Sequence, residues 1–227
     1  MFEQALPPDG FKERLHASLE RERLNLPAIR RVAKHQPVYM CGDAAEMVYF
    51  IESGRVKLLM FSPEGKECLL AIYSKGDIFG ELCLAGVGPR QETAMAMEDT
   101  TLKRVPISSF FRHLSRNGLV EGFVDYLSAR VADQQLVIAN FVTVDCEHRL
   151  GRTLLSLAHK LGRRDSRHTR IELKITHDEL AMMVGTTRPR ITKFMREFRA
   201  RDLIEVTPDH FLIVKESKLS DYLARSG

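Results

Sequence analysis

Residues 175–198, ITHDELAMMVGTTRPRITKFMREF, constrain the fold most strongly, because they predict two short helices joined by a tight glycine turn. Thr176 and Glu179 have the Thr-x-x-Glu spacing of a capping box, in which each side chain bonds the other residue's backbone N–H. Gly185 can adopt the positive φ at which the first helix would end. Thr187 would be the N-cap of the second helix. This pattern is typical of a helix-turn-helix, whose second helix enters the DNA major groove.

The second predicted helix has an apolar face and a basic face. Its apolar residues follow helical spacing: Ile191, Phe194, Met195 and Phe198. Its basic residues remain free for another surface: Arg188, Arg190, Lys193 and Arg196. Because many helical hairpins carry arginines that are merely solvated, this pattern alone also allows an ordinary all-α hairpin. The following strand, turn and strand, over residues 201–206, 207–210 and 211–214, are typical of the wing of a winged helix and favour DNA binding.

Charge is distributed unevenly along the chain. Its 34 basic and 30 acidic residues leave a formal net charge of only +4. Between Arg149 and Arg170, however, Asp165 is the only acid among seven lysines and arginines. A basic C-terminal third on a nearly neutral remainder indicates a phosphate-binding domain.

The first half of the chain has a different pattern. From residue 28 to residue 105, short strand-like runs are separated by glycine-containing turns. Ser62–Gly65 is a hairpin signal, because proline presets φ and glycine can adopt the left-handed conformation. Many short strands at this spacing predict an all-β sandwich or barrel, and a jelly roll fits best. A short amphipathic helix around Phe11, Leu15 and Leu19 would precede the strands.

A long helix is predicted between the β region and the basic region. Its apolar seam has alternating four- and three-residue steps through Val120, Val124, Leu127, Val131, Gln134, Ile138 and Phe141. This rhythm is that of a coiled coil and predicts pairing with a second copy, although the helix could instead pack on its own β domain. A two-fold dimer would read an inverted repeat whose half-sites lie one helical turn apart.

Several classes of protein are not expected. No apolar run approaches the ~20 residues needed to span a bilayer, and segment 1–24 lacks the apolar centre of a secretory signal, so a cytoplasmic protein without a membrane segment is expected.

The four cysteines form no Cys-x-x-Cys pair, and neither a disulfide framework nor a metal site is expected. A cupin-like enzyme would need His and carboxylate metal ligands inside the roll, where only His35 and His113 are available. An enzyme is therefore a remote alternative, and a non-enzymatic function is expected. A thiol-responsive regulator using Cys83 or Cys146 also stays open.

The order of β roll, long helix and winged helix-turn-helix resembles the CRP/FNR (catabolite activator protein-like) family of bacterial transcription regulators. The resemblance covers about residues 28–222. Its specific pieces are Glu64–Glu67, Gly76–Leu82, Arg149–Ala158 and the helix-turn-helix itself. It implies an α+β fold with a cyclic-nucleotide-binding-type jelly roll, a dimerisation helix and a C-terminal winged helix-turn-helix. The corresponding divisions are a helical arm at 1–24, an effector domain at 25–117, a dimerisation helix at 118–144 and a DNA-binding domain at 145–227.

The resemblance also implies an effector pocket. Its residues would be Gly80, Glu81, Leu82, Arg90, Glu92, Thr93, Gln134 and Gln135. In members that bind cyclic AMP, the glutamate matching Glu81 contacts the ribose, and an Arg-Ser pair holds the phosphate. Here Thr93 can replace the serine, but Glu92 stands where the arginine should be, and a carboxylate repels a phosphodiester. Arg90 could supply the cation if the loop shifts register.

These departures disfavour the ordinary cyclic AMP mode and leave three alternatives: cyclic di-GMP, another nucleotide messenger, or no ligand. An iron–sulfur cluster is not expected, because residues 1–40 contain no cysteine. Haem is not expected either, because Gly80 and Leu82 stand where haem-binding members have Cys and His.

On the DNA side, the resemblance implies that Arg188 reads a guanine and that Lys193 replaces a second base-reading arginine, with Arg190 as a further candidate. The family's base-reading glutamate is replaced by Pro189, which predicts altered preference at one base position. Phosphate contacts are predicted at Thr176, Thr187, Arg149 and Arg196. The expected partners are double-stranded DNA, a second copy of the chain, and RNA polymerase through the basic loop at residues 162–169.

Overall fold

The computed structural model describes residues 10–21, 28–86, 88–165 and 168–225. Its first structural unit, Met1–Leu136, contains two four-stranded antiparallel sheets. One sheet has the strand order β1-β8-β3-β6 and the other β2-β7-β4-β5. The strands are β1 (Ala28–Val32), β2 (Pro37–Tyr39), β3 (Met47–Ser53), β4 (Val56–Phe61), β5 (Glu67–Tyr73), β6 (Ile78–Phe79), β7 (Thr93–Ala96) and β8 (Thr100–Pro106). The predicted β roll is confirmed.

The hairpin between β4 and β5 forms where its turn residues predict it. Gly65 has a φ of 78°, and its N–H donates to the carbonyl of Ser62 over 2.9 Å. The N–H of Ser62 in turn donates to the carbonyl of Lys66. Glycine adopts this left-handed backbone at little cost, which is why the chain can reverse here.

Strand β3 places apolar side chains on both faces of its sheet. Tyr49 and Ile51 belong to a core cluster to which strands of both sheets contribute. Val48 and Phe50, on the opposite face, belong to a second cluster formed with the helices. This alternation is the period-2 geometry of a strand, and it explains a nearly continuous apolar run between two layers.

Three helices pack on the second cluster: α1 (Phe11–Arg21), α2 (Ile107–Arg116) and the start of the long α3 (Val120–Thr143). Phe11 lies 6.1 Å from Phe123 and 5.8 Å from Tyr126 between ring centroids. The predicted amphipathic helix around Phe11 is therefore confirmed, with Leu15 and Leu19 also buried.

The second structural unit, Val137–Gly227, contains the end of α3, four further helices and a small sheet of order β11-β12-β10-β9. Its remaining elements are α4 (Cys146–Leu161), β9 (Gly162–Asp165), β10 (His168–Ile171), α5 (His177–Val184), α6 (Arg188–Ala200), β11 (Ile204–Val206), β12 (Leu212–Val214) and α7 (Glu216–Arg225). The helix-turn-helix and its wing are confirmed.

One segment of the second unit differs from the prediction. Residues 162–169, expected to be an exposed basic loop, contribute β9 and the first residues of β10, which pair antiparallel. β10 also pairs with β12, so the segment joins the wing sheet. The sequence does not predict this strand, because β9 lacks the alternation of apolar and polar residues by which strands are usually recognised. None of the helices in the described ranges is long and apolar enough to cross a membrane.

Candidate nucleic-acid interface and β-roll pocket

Local hydrogen bonds fix both ends of helix α5. The Thr176 hydroxyl accepts from the Glu179 N–H over 3.1 Å, and a Glu179 carboxylate oxygen accepts from the Thr176 N–H over 3.0 Å. Gly185 ends the helix with a φ of 68°, and its N–H donates to the carbonyl of Ala181. The predicted capping box and glycine turn are both present. Thr187 occupies the N-cap position of α6, but its side chain makes no capping hydrogen bond.

Helix α6 separates its two faces as the sequence predicts. The apolar residues Ile191, Phe194, Met195 and Phe198 are buried. Among the residues assigned to DNA, the exposed ones are Thr176, Thr187, Arg188, Arg190, Lys193 and Arg196. The structure thus leaves these hydroxyls and cations open to solvent on or beside α5 and α6.

Arg149 is the exception, because its guanidinium is engaged within the fold; its assignment to a DNA phosphate stays a prediction. Its Nε donates to the carbonyl of Val184, at the end of α5, over 2.7 Å. Its Nη1 reaches three carbonyl oxygens near the end of α3: Asn140 (3.4 Å), Phe141 (3.3 Å) and Val144 (3.1 Å). The guanidinium therefore serves the carbonyl ends of two helices, where a cation is favoured by the unpaired carbonyls and the helix dipole.

The Phe141 ring completes this junction. The Arg149 guanidinium lies 4.6 Å from its centroid. On the other side, a Cβ added to Gly185 would lie only 2.5 Å from the ring. Glycine is therefore required at the turn for two reasons, the positive φ and the close approach of an aromatic ring.

Two contacts at the start of α5 lie outside the sequence prediction. Asp178 Oδ2 lies 3.5 Å from Nη1 of Arg188. His177 Nδ1 lies 2.9 Å from the hydroxyl of Thr192, which donates to the Arg188 carbonyl over 3.1 Å. The position of Asp178, two residues after an N-cap and beside the turn of a helix-turn-helix, is a signal that could have indicated the first contact.

In the β roll, Arg90 lies inside the fold and is only 3% exposed. Its Nη1 donates to the carbonyl of Gly80 over 2.7 Å, and its Nη2 donates to the carbonyl of Met47. Its guanidinium lies 4.2 Å from the ring centroid of Tyr39 and 5.7 Å from that of Tyr49. Arg90 therefore places a cation against buried aromatic rings, a favourable arrangement when water is excluded.

Glu92 is also buried and is bound by a tyrosine. The Tyr39 hydroxyl donates to Glu92 Oε1 over 2.7 Å. Burial, and then the neighbouring Glu92 carboxylate, raise the pKa of Tyr39, which keeps the phenol protonated and able to donate. Thr93, next to Glu92, accepts a hydrogen bond from the Cys41 N–H over 3.1 Å.

Glu81 is paired with a cation from α3. Its Oε1 lies 2.7 Å from Nη1 of Arg130, and Arg130 Nη2 also donates to the hydroxyl of Tyr73. Burial lowers the pKa of Arg130, but Tyr73, Glu81 and Tyr126 outweigh that effect and raise it. The guanidinium of Arg130 therefore stays charged in a mostly buried position.

The predicted pocket residues thus fall into two groups. Gly80, Glu81, Arg90, Glu92 and Thr93 lie in the buried network or directly beside it. Leu82, Gln134 and Gln135 are exposed. Sequence reasoning missed Tyr39, Tyr49 and Arg130; the last lies one helical turn before Gln134, and that spacing could have indicated it.

A solvent-open cleft with an enclosed volume of only about 10 Å³ adjoins this network. It is lined by Ala45, Leu82, Cys83, Gly88, Pro89, Arg90, Gln91 and Glu92. Ligand sites generally measure roughly 300–1,000 Å³, so the cleft as it stands is small for a nucleotide.

One group of side chains in the described ranges has metal-ligating composition. His16, Glu20 and Glu52 place ligand atoms within 4.8 Å of one another. The ammonium of Lys103, however, pairs with both carboxylates, and lies 3.8 Å from Glu20. Because that ammonium already pairs with both carboxylates, we interpret the group as a salt-bridge network.

The predicted seam of α3 is largely open in the single chain. Val124, Val131, Ile138 and Phe141 are exposed, as is Gln134. Leu127 is the exception, since it packs partly against the helical core cluster. An apolar stripe of this kind on a helix normally packs against another surface.

Two family models match the chain, one on each side of α3. Residues 29–117 match the cyclic nucleotide-binding domain, and residues 148–222 match the Crp-like helix-turn-helix domain. The chain belongs to the CRP/FNR family. It is a transcription regulator with a helix-turn-helix DNA-binding domain and a cyclic nucleotide-binding-type domain.

Known members of the CRP/FNR family align with most of the chain. A CRP-like cAMP-activated global transcriptional regulator from Mycobacterium tuberculosis is 29% identical over 189 residues, which are 81% of this chain and 82% of that protein. A global nitrogen regulator from Synechocystis is 28% identical over 185 residues, or 80% of this chain and 82% of that protein. The solved structure of a CooA variant from Carboxydothermus hydrogenoformans, 24% identical, has a TM-score of 0.73 over 97% of this chain and 99% of that chain, which supports the shared fold. Two differently named regulators match almost equally well, so identity alone does not select a signal.

Proposed function

We propose that this CRP/FNR-family regulator binds an inverted-repeat DNA site as a homodimer paired along α3. The observation that carries the proposal is the exposed basic face of α6, with Arg188, Arg190 and Lys193 open to solvent in a capped helix-turn-helix. The exposed apolar stripe on α3 supplies the pairing surface. Two copies would present two such helices with two-fold symmetry, which is the symmetry of an inverted repeat.

Arg188 is proposed as a base-reading residue, since a guanidinium can donate two hydrogen bonds to guanine O6 and N7. Arg188→Ala is expected to cost about 1–3 kcal/mol of DNA-binding free energy and to relax preference at one base position in each half-site. Fluorescence anisotropy on a selected site and on its single-base variants measures both quantities. Arg199→Ala, which removes an exposed cation from the last turn of the same helix, is the control. An equal loss on every sequence would instead make Arg188 a phosphate contact.

We propose further that cyclic AMP does not control DNA binding here. The cation available for a phosphate, Arg90, is held by two carbonyls and two aromatic rings, while Glu92 adds a buried carboxylate to the same site. Glu81 is likewise engaged, by Arg130. A cyclic nucleotide would have to displace these contacts and enlarge the cleft, so this conformation does not fit one.

Cyclic AMP is therefore expected to change the affinity for a selected inverted repeat by less than about twofold, while cyclic di-GMP is the nucleotide to test beside it. A change of tenfold or more, about 1.4 kcal/mol of coupling, would show a working sensor. If cyclic AMP produced that change and Arg90→Gln removed it, Arg90 would be the phosphate ligand and the proposal would be wrong. A thermal unfolding curve of Arg90→Gln would establish that the variant folds.

Two further parts of the proposal concern partners and thiols. We propose the exposed Arg163 and Arg164 of β9 as the contact with RNA polymerase, and we propose that the protein acts in the cytoplasm. Burial raises the pKa of the Cys83 thiol, which argues against Cys83 as a reactive redox sensor.

A further inference from the structure

The first turn of α5 holds the first residue of α6 at two points. Asp178 contacts the guanidinium of Arg188 at 3.5 Å. His177 contacts Thr192, whose hydroxyl donates to the Arg188 carbonyl. The contact with Asp178 therefore restrains the tip of the Arg188 side chain, and the contact through Thr192 restrains the backbone from which it projects.

The ion pair between Asp178 and Arg188 itself adds little to the stability of the fold. The Asp178 and Arg188 side chains are 59% and 67% exposed, and ion pairs between such groups contribute only about 0–1 kcal/mol to folding. A carboxylate on a surface that faces phosphates also opposes binding to every DNA sequence. An acid in this position lowers the affinity for DNA, and we expect an effect on sequence recognition to offset this loss.

We propose that Asp178 determines base specificity by holding Arg188 in the orientation that reads a base pair. This inference rests on the proposed base-reading role of Arg188. A free arginine side chain has many rotamers and can turn to a neighbouring phosphate, so that it binds any sequence. With Asp178 paired to one Nη atom of the guanidinium, the remaining N–H groups of the exposed side chain stay available to pair bidentately with guanine.

The local sequence adds to this role. Pro189, the next residue of the recognition helix, cannot accept a hydrogen bond through its side chain. Asp178 is therefore the carboxylate that contacts Arg188 near the start of the hairpin.

Asp178→Asn tests the inference, because the amide keeps the size of the side chain and removes its charge. Anisotropy is measured for the full-length protein on a selected inverted repeat and on variants changed at one base pair in each half-site. We expect the affinity for the selected site to change by less than about twofold, and the affinity for sites altered at the base read by Arg188 to rise by about three- to tenfold. Asp221→Asn makes the same charge change at an exposed position of α7 and is expected to leave discrimination unchanged.

Each alternative outcome is distinguishable. An equal rise in affinity on all sites would mean that Asp178 only repels DNA, and an Asp178→Asn profile identical to that of Asp221→Asn would mean that it has no role; either result overturns the inference. If Arg188→Ala relaxes one base position while Asp178→Asn does not, the base-reading role stands and the role of Asp178 alone fails. If Arg188→Ala shows no position-dependent loss, both fail. Asp178→Asn added to Arg188→Ala should cause no further loss of discrimination.

Discussion

Val131→Asp together with Ile138→Asp is expected to convert the protein to a monomer and to weaken binding to an inverted repeat by about 100-fold or more, since the avidity of two linked sites is lost. The two side chains are 52% and 64% exposed in the single chain, so the substitutions should leave its fold intact. In a dimer, burial of each side chain would contribute about 1.5–3 kcal/mol. Four buried carboxylates facing one another would remove that contribution and add repulsion.

Sedimentation equilibrium gives the oligomeric state, and anisotropy on whole and half sites gives the affinity. Ala132→Asp with Ala139→Asp is the matched control, because it adds the same charges to exposed positions one residue beyond the seam. The control should remain a dimer. A seam variant that still dimerises and still binds the whole site with unchanged affinity would show that α3 does not form the interface.

Arg149→Met is expected to destabilise the second structural unit by about 2–4 kcal/mol, because several carbonyls at helix ends lose a charged donor at once. The affected acceptors are the carbonyls of Asn140, Phe141, Val144 and Val184. For a unit of this size the midpoint of thermal unfolding should fall by roughly 10 °C or more.

Arg149→Lys separates the effect of charge from that of geometry, because an ammonium lacks the planar guanidinium that reaches both helix ends. It should lose an intermediate amount of stability, and Arg199→Met, at an exposed site on α6, should lose little. Circular dichroism during heating measures these differences. If Arg149→Met kept full stability but bound every DNA sequence more weakly, the arginine would be a phosphate contact after all.

Local signals predicted the helix-turn-helix well. The capping box at Thr176, the glycine turn at Gly185 and the apolar spacing of α6 each act within a few residues, so the sequence alone can display them. The β roll was predicted for the same reason, from turn residues such as Pro63 and Gly65 and from short strands between them.

The sequence did not display contacts that depend on partners distant along the chain. Arg149 belongs to a basic run and was assigned to DNA, and no local pattern shows that its Nε partner is the carbonyl of Val184, 35 residues away. Arg90 and Glu92 were judged by register against a family motif, whereas their positions depend on Tyr39, which is 53 residues from Glu92. The strand β9 contains no alternating apolar residues, and only its pairing with β10 identifies it.

Phe141 belongs both to the exposed stripe of α3 and to the covering of the turn at Gly185. The positive φ keeps glycine at position 185 whatever residue stands at position 141, so any change must fall on Phe141. Phe141 is therefore under two selective pressures, one on pairing between copies and one on the hairpin that contacts DNA. A smaller residue there would uncover the turn and weaken the end of the seam at the same time.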